Sequence, residues 1–182
     1  GEARVQSVGV GGNETSEVSI AMEFSKSIIV NAPADKVWDV LGRDFANIGV
    51  WSSAVFKSVA NDDLPSVNNS AVGGRYCDTS FGKISEEFIT YDDDKRTFSF
   101  KGVFSSKMFH SVVNSTGVTA IDENKTEVHF GPNIKLSFIG TLMSPMIRMM
   151  LGKAVDSILA DLKYYVENGK PSPQKVASQN KK

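Results

Sequence analysis

The residues of this chain that could carry acid–base chemistry are few. An imidazole can give or take a proton near neutral pH, so His110 is a candidate acid or base. Glu86 and Glu87 are neighbours on a predicted strand, so their side chains point to opposite faces and cannot form a paired-carboxylate site. A carboxylate on the inner face needs a partner, and Arg75 is the nearest basic candidate. That pair could be structural or catalytic, and the sequence assigns no catalytic residue.

The sequence has no motif for sulfur, metal or nucleotide chemistry. Cys77 is the single cysteine, which excludes an internal disulfide and a zinc-finger spacing, and we expect it to be a buried small apolar residue. His110 and His129 do not form a recognisable metal motif. The glycines near residues 9–12 precede no strand–helix unit of the dinucleotide-binding type. We predict no metal and no cofactor.

Composition and charge exclude several classes of partner. The 182 residues carry 20 Lys and Arg against 21 Asp and Glu, which gives no field to gather phosphates, so we expect no nucleic-acid binding. The longest uncharged apolar stretch, Leu136 to Ile147, is shorter than the roughly 20 residues that cross a bilayer, so a soluble chain without a transmembrane segment is predicted. The first residue is Gly1 and not a methionine, so the chain could be a processed one. A cytoplasmic protein and an exported, processed one therefore both remain open. The oligomeric state stays open as well.

Periodicity predicts a sheet that follows two short helices. The predicted elements are a strand over residues 24–30, a helix from Pro33 to about Gly42, a helical segment over residues 45–51, a surface loop over residues 61–74 and an antiparallel meander from Gly74 to Phe138. Phe98 and Phe100 alternate with polar residues, as do Val128 and Phe130, so each strand has one apolar face. The sheet is therefore expected to be covered on one side.

A long amphipathic helix is predicted from Pro145 to Glu167 as that cover. Its predicted inward stripe is Ile147, Leu151, Ala154, Ile158, Leu162 and Tyr165. Residues 1–22 and 169–182 lack the apolar content to fold, so we predict an N-terminal tail, one domain over residues 23–168 and a disordered C-terminal tail.

The order of these elements resembles the helix-grip fold of the START-like superfamily of polyketide cyclases, lipid-transfer domains and birch-pollen-allergen relatives. Residues 27–51, with Ala32-Pro33 and Val37-Trp38 on the first helix, carry the resemblance, together with the turn, Glu-rich strand and acidic hairpin of residues 73–103. The resemblance covers about residues 24–168. It implies an α+β fold in which a curved antiparallel sheet and a long C-terminal helix enclose an apolar cavity, and it says little about activity.

That cavity leads to a prediction of hydrophobic small-molecule binding. Its predicted ligand-binding residues are Trp51, Phe98, Phe100, Phe109, His110, Phe130, Met143, Ile147, Met150 and Leu151. The ligand would be a lipid, an isoprenoid or a polyketide-like compound, because four methionines at the start of the long helix can adapt to varied apolar shapes. These side chains could equally be plain core.

Two other functions remain open. A cyclase or dehydrase would need polar groups inside the cavity, and the candidates are His110, Arg75, Tyr76, Asp78, Glu86, Glu87 and Tyr91. A chaperone-like interaction protein would instead show a filled core and an exposed apolar patch.

Overall fold

A long antiparallel sheet and one long helix dominate the structure, a computed structural model that describes residues 5–6 and 21–179. The strands of that part are β1 (Val5–Gln6), β2 (Ala21–Glu23), β3 (Lys26–Val30), β4 (Val55–Ala60), β5 (Gly74–Thr79), β6 (Gly82–Asp92), β7 (Thr97–Phe104), β8 (Phe109–Asp122) and β9 (Lys125–Leu136). The helices are α1 (Ala34–Trp38), α2 (Ile48–Trp51), α3 (Phe138–Leu142), α4 (Ser144–Asn168) and α5 (Pro173–Gln179). A π-helical turn (Asp39–Arg43) and a 3-10 turn (Phe45–Asn47) join α1 to α2.

Every strand pair is antiparallel, and the order across the sheet is β1-β2-β9-β8-β7-β6-β5-β4. The strand β3 pairs with β9 on the same edge as β2, further along. Strands β4 to β9 follow each other in sequence and in space, so the predicted meander and the helix-grip fold are confirmed. No helix in residues 21–179 is long and apolar enough to cross a bilayer.

The alternation predicted for the strands is confirmed. Phe98 and Phe100 are buried while Thr97 and Lys101, on the other face of β7, are exposed. On β9 the buried side chains continue to Leu136, which is fully buried. Because successive strand residues point to opposite faces, one face of the sheet forms the core and the other meets solvent.

The long helix is confirmed, but its predicted inward stripe is partly wrong. The buried residues of α4 are Ile147, Leu151, Val155, Leu159, Asp161, Leu162 and Val166. Ala154, Ile158 and Tyr165, which the stripe included, are only partly buried. Both stripes are apolar and share their first residues, so the sequence could not distinguish them. The helix ends where Gly169 adopts a φ of 69°, in the left-handed region that glycine tolerates.

The first helix begins one residue later than predicted. Pro33 has an extended ψ of 146° and precedes the helix, so Ala34 is the first helical residue. The loop over residues 61–73 is closed by its own hydrogen bonds. The Ser70 hydroxyl accepts from the backbone nitrogen of Val67 at 2.9 Å and donates to the carbonyl of Val72 at 2.7 Å.

The predicted disordered C-terminal tail is wrong for residues 173–179, which form α5. Polar contacts, not apolar burial, hold this helix. The Ser172 hydroxyl accepts from the backbone nitrogen of Lys175 at 3.1 Å and donates to Asp161 of α4 at 2.5 Å. The ammonium of Lys175, fully buried, donates to the carbonyl oxygen of Val55 at 2.7 Å.

The predicted N-terminal tail lies mostly outside the described residues. Within it, Val5–Gln6 pairs with β2, and Ala21 and Met22 belong to β2. Met22 is 2% exposed because it lies opposite Ile134 on the inner face of the sheet, so the folded part begins before residue 23.

Candidate functional site

A groove runs along one side of α4, and we call it the α4 groove. Its volume is about 590 Å³, which lies within the range of about 300–1,000 Å³ that small-molecule sites occupy. Its walls come from α4, α5, the start of β4 and the turn between β5 and β6, and include Phe56, Phe81, Met150, Ala154 and Ala177. The groove is open at the surface and mostly apolar inside.

The side of α4 that lines the groove borders the packed interior. Ala154 lines the groove, and Ile158 lies one helical turn further along the same side of α4. Val155 and Leu162, on either side of Ile158 along the inward face, are buried, yet Ile158 is only partly buried. Ile158 therefore lies at the margin of the inward face, where it packs against the larger core cluster.

The sheet opposite α4 also leaves room. Gly102 lies in the inward cross-strand row between Glu86 of β6 and Val112 of β8, and it carries no side chain. A methyl group there would meet Ile84 and Val112 at 3.5 and 3.6 Å, which is ordinary contact distance. A small side chain could therefore be accommodated at this point of the inner face.

An apolar cluster lies at the groove end of this interior. Phe109 stacks on Phe104 with ring centroids 4.4 Å apart and meets Phe81, a groove residue, edge to face at 6.0 Å. Ile147 and Leu151 belong to the same cluster. Three predicted ligand residues, Phe109, Ile147 and Leu151, thus lie together beside the groove.

The opposite end of the interior, under α1, is filled by aromatic rings. Phe98 lies 5.4 Å from Phe45, 5.5 Å from Phe88 and 5.8 Å from Trp38, measured between ring centroids. Phe100 lies 5.8 Å from Phe45 in the same cluster. These rings pack against each other, so the predicted ligand residues Phe98 and Phe100 belong to the packed core here.

Trp51 and Phe130 belong to that larger core as well, at 2% and 9% exposure. Both are predicted ligand-binding residues, and here they are part of the packed core. The indole nitrogen of Trp51 has no hydrogen-bond partner among the described residues. The Oδ1 atom of Asn114, on the inner face of β8, has none either. Such buried, unpaired polar atoms are uncommon and can receive a ligand or a water molecule.

A buried ion pair lies on the inner face of β5 and β6. The Nε atom of Arg75 donates to Glu86 at 2.5 Å, and its Nη1 atom donates to the carbonyl of Phe45. The guanidinium carbon lies 3.7 Å from the centre of the Phe45 ring. The predicted pairing of Arg75 with an inward carboxylate is therefore confirmed. Glu87 points outward and pairs with Lys101 at 3.0 Å.

Cys77 lies beside this ion pair. Its sulfur is 3.9 Å from Glu86, and burial raises the pKa of the thiol to about 12. A thiol that stays protonated at neutral pH is a poor nucleophile, so the residue behaves as the buried apolar side chain that the sequence predicted.

Three of the other polar candidates do not enter the interior, whereas Tyr91 enters it with its ring. His110 and Tyr76 are exposed, and Asp78 is partly exposed. The Tyr91 hydroxyl donates to Asp93 at 3.1 Å at the far end of β6, and burial raises the pKa of Tyr91 to about 12. The expected ligand contact of His110 is wrong for this reason: a bulge after Phe109 leaves His110 on the solvent side. Within residues 21–179, no three His, Cys, Asp or Glu side chains gather as a metal site requires.

Met143 and Met150 do not line the interior as predicted. They are 38% and 40% exposed, because α4 turns its methionines away from the sheet. Met150 instead lines the α4 groove. A further depression of about 520 Å³ lies on the sheet itself, lined only by residues of β4 to β7 and the turn after β7, such as Val59, Tyr76 and Val103.

The comparisons with known proteins agree with this architecture. Residues 21–167 match the family described as polyketide cyclase/dehydrase and lipid transport. No curated protein matches the chain. Among solved structures, the START superfamily protein from Mycobacterium smegmatis is similar at 14% sequence identity and a TM-score of 0.65, over 81% of this chain and 99% of that one.

Two enzymes share the fold. The ZhuI aromatase/cyclase from Streptomyces sp. R1128 is 12% identical with a TM-score of 0.66, over 84% of this chain and 99% of that one. Norcoclaurine synthase from Thalictrum flavum is 12% identical with a TM-score of 0.61, over 90% of this chain and 99% of that one. At these identities the likeness concerns the fold alone.

Proposed function

Because the chain belongs to the polyketide cyclase/dehydrase and lipid transport family, we propose that it binds a hydrophobic small molecule beneath α4. The ligand is a lipid, an isoprenoid or a polyketide-like compound, and it enters through the α4 groove. The observation that carries this proposal is the α4 groove itself, a mostly apolar opening of about 590 Å³ along α4. The apolar cluster around Phe109 forms the adjoining wall.

Apolar contact alone is enough to bind such a ligand. Each buried methylene contributes about 0.8 kcal/mol, so ten of them supply roughly 8 kcal/mol before the cost of ordering the ligand. No cofactor or catalytic group is required. The packed rings beneath α1 limit the ligand to the groove end of the interior, which favours a ligand shorter than the sheet.

Blocking the groove tests the proposal. Ala154→Trp places an indole in the groove, whereas Ala160→Trp places the same group on the exposed side of α4. We expect a fluorescent fatty-acid or polyene probe to bind the wild type and Ala160→Trp, and to bind Ala154→Trp at least tenfold more weakly. Equal affinity in all three proteins would refute the groove as the way in.

The second candidate function is an enzyme of the cyclase or dehydrase type. It is favoured by one observation, the Arg75–Glu86 pair on the inner face, where a charged hydrogen-bond donor could steer a carbonyl-rich substrate. Glu86→Gln separates the two functions, because it removes the charge and keeps the shape. A carrier would retain its apolar ligand in this variant, whereas a cyclase would bind a polyketone analogue and lose its turnover.

A further inference from the structure

A group of exposed apolar side chains covers α3 and the first half of α4, and we call it the α3–α4 patch. It consists of Phe138, Ile139, Leu142, Met143, Met146 and Met149, with Met150 at its border with the groove. Leu142 is 71% exposed and Phe138 is 60% exposed. Single exposed apolar residues are normal, but so many on two consecutive helices indicate a surface that another body covers.

Backbone and side-chain contacts join α3 to the turn between β7 and β8. Ser137 caps α3 by accepting from the backbone nitrogen of Gly140 at 3.3 Å, and its hydroxyl donates to the carbonyl of Lys107 at 2.7 Å. Gly140 lies so close to the carbonyl of Met108 that a side chain there would clash with it. The turn between β7 and β8 therefore fixes α3, so that Phe138 and Leu142 project outward without needing a partner to order them.

The charged residues nearest the patch in the sequence are all basic. Between Glu127 and Asp156, every formally charged residue is basic, namely Lys135, Arg148 and Lys153. Lys107 adds a fourth cation in the turn that holds α3. None of these four cations forms an ion pair with any residue that the structure describes. The Nη2 atom of Arg148 is buried and has no hydrogen-bond partner there either.

We propose that the α3–α4 patch docks on a lipid bilayer that contains anionic phospholipids. Apolar side chains of this kind insert between acyl chains, and nearby cations add about 1 kcal/mol each toward an anionic leaflet, which is roughly fivefold in affinity. A second copy of this chain fits less well, because a symmetric contact would bring the same unpaired cations together. The charge of the patch thus favours an anionic surface.

The patch adjoins the α4 groove, since Met150 and Lys153 line the groove and lie on the same face of α4 as Met146 and Met149. Docking would bring the opening of the groove to the membrane surface. The docking itself does not rest on the proposed ligand binding, and its test uses vesicles without a ligand.

Vesicle flotation tests the docking. The wild type should float with vesicles of phosphatidylcholine and phosphatidylglycerol, float weakly with phosphatidylcholine alone, and be released as salt is added. Leu142→Ser/Met146→Ser should abolish flotation, whereas Ile89→Ser/Ile121→Ser, which changes two exposed apolar residues elsewhere, should not. Lys107→Glu should weaken it at least roughly fivefold, and Lys125→Glu, at the opposite end of β8, should not.

Several outcomes would overturn the proposal. One is equal flotation of the two serine double variants, and another is no flotation of the wild type with either vesicle. A third is a wild type that sediments as a dimer, becomes monomeric in Leu142→Ser/Met146→Ser and ignores vesicles, which would assign the patch to a second copy. Circular dichroism melts should show both double variants folded, because all four residues are exposed.

Discussion

At the residue scale, an interior ion pair contrasts with a network of charged groups at the surface. Arg75 and Glu86 are 6% and 12% exposed, and they contact Phe45, which belongs to the aromatic core. Buried pairs lose solvation that their mutual attraction only partly restores, so their presence is weak evidence for stability. Stability therefore does not account for the pair, and this makes it the one feature that favours an enzymatic function over a carrier.

The surface network is centred on Asp93, which ties α1 to the hairpin between β6 and β7. Asp93 accepts from Arg43 at 2.9 Å, from the indole nitrogen of Trp38 at 2.7 Å and from Tyr91 at 3.1 Å. The hydrogen bonds from Arg43 and then from Trp38 hold the pKa of Asp93 well below its ordinary value. The charged form is therefore the one that stabilises the fold.

This depressed pKa predicts a dependence of stability on pH. The contribution of Asp93 is complete above the unfolded-state value of about 3.9 and is lost as the pH falls toward the lower, folded-state pKa. Asp93→Asn should therefore melt below the wild type at pH 7, and the difference should shrink below about pH 4. Asp94→Asn, whose carboxylate has no ion pair with the described residues, is the control. A melting difference for Asp93→Asn that is the same at both pH values would contradict this account.

At the scale of elements, α4 separates two apolar faces that the sequence alone could not distinguish. Ile147 is 2% exposed and packs against the sheet, whereas its neighbour Met146 is 46% exposed in the α3–α4 patch. The inward face stabilises the fold, and the outward face is available for binding.

Substituting the two neighbours tests this orientation. Ile147→Ala should cost about 2–5 kcal/mol of unfolding free energy through the cavity it leaves. Met146→Ala should change it by less than about 0.5 kcal/mol. Urea unfolding of both variants measures the difference. If the two variants lost equal stability, the face of α4 would be misassigned.

The short helix α5 is fixed to α4 by a polar contact at Asp161. This carboxylate, 1% exposed, accepts from Ser172 before α5 and from the hydroxyl of Ser53 after α2, both at 2.5 Å. Since α5 forms one wall of the α4 groove, the contact at Asp161 also shapes the proposed opening.

Loosening that contact should expose α5 to protease. Lys175 is fully buried, which shields it from trypsin. Lys170 is followed by Pro171, and a proline at that position blocks cleavage by trypsin. Ser172→Ala removes the helix cap and a donor to Asp161, so trypsin should cut after Lys175 faster than in the wild type. Gln179→Ala, an exposed change in the same helix, should leave the rate unchanged. A Ser172→Ala protein as resistant as the wild type would show that other contacts hold α5.

Much of the fold followed from the sequence because strand alternation and helical periodicity are local signals. The meander, α4 and the inward position of Phe98 are examples. The helix α5 was missed because its apolar content is low and its anchor, Asp161, is distant in sequence, although a serine followed by a proline is a helix-start signal. The methionines of α4 were misplaced because an apolar stripe predicts burial whether the core or another body covers it.

At the scale of the whole molecule, the interior is divided. Aromatic rings close the end beneath α1, and the apolar cluster around Phe109 lies at the end beside the α4 groove. The curved sheet supplies the floor of both ends, so one fold contains a rigid core and a proposed ligand chamber. The α3–α4 patch adjoins the open end, not the closed one.

Native mass spectrometry of gently purified protein, followed by organic extraction, tests the proposed chamber most directly. We predict that the wild type carries an apolar compound, that Ala160→Trp carries it too and that Ala154→Trp does not. If no apolar compound copurifies with the wild type, and if fatty acids, quinones and aromatic polyketides leave its melting temperature unchanged, the proposed carrier function is contradicted.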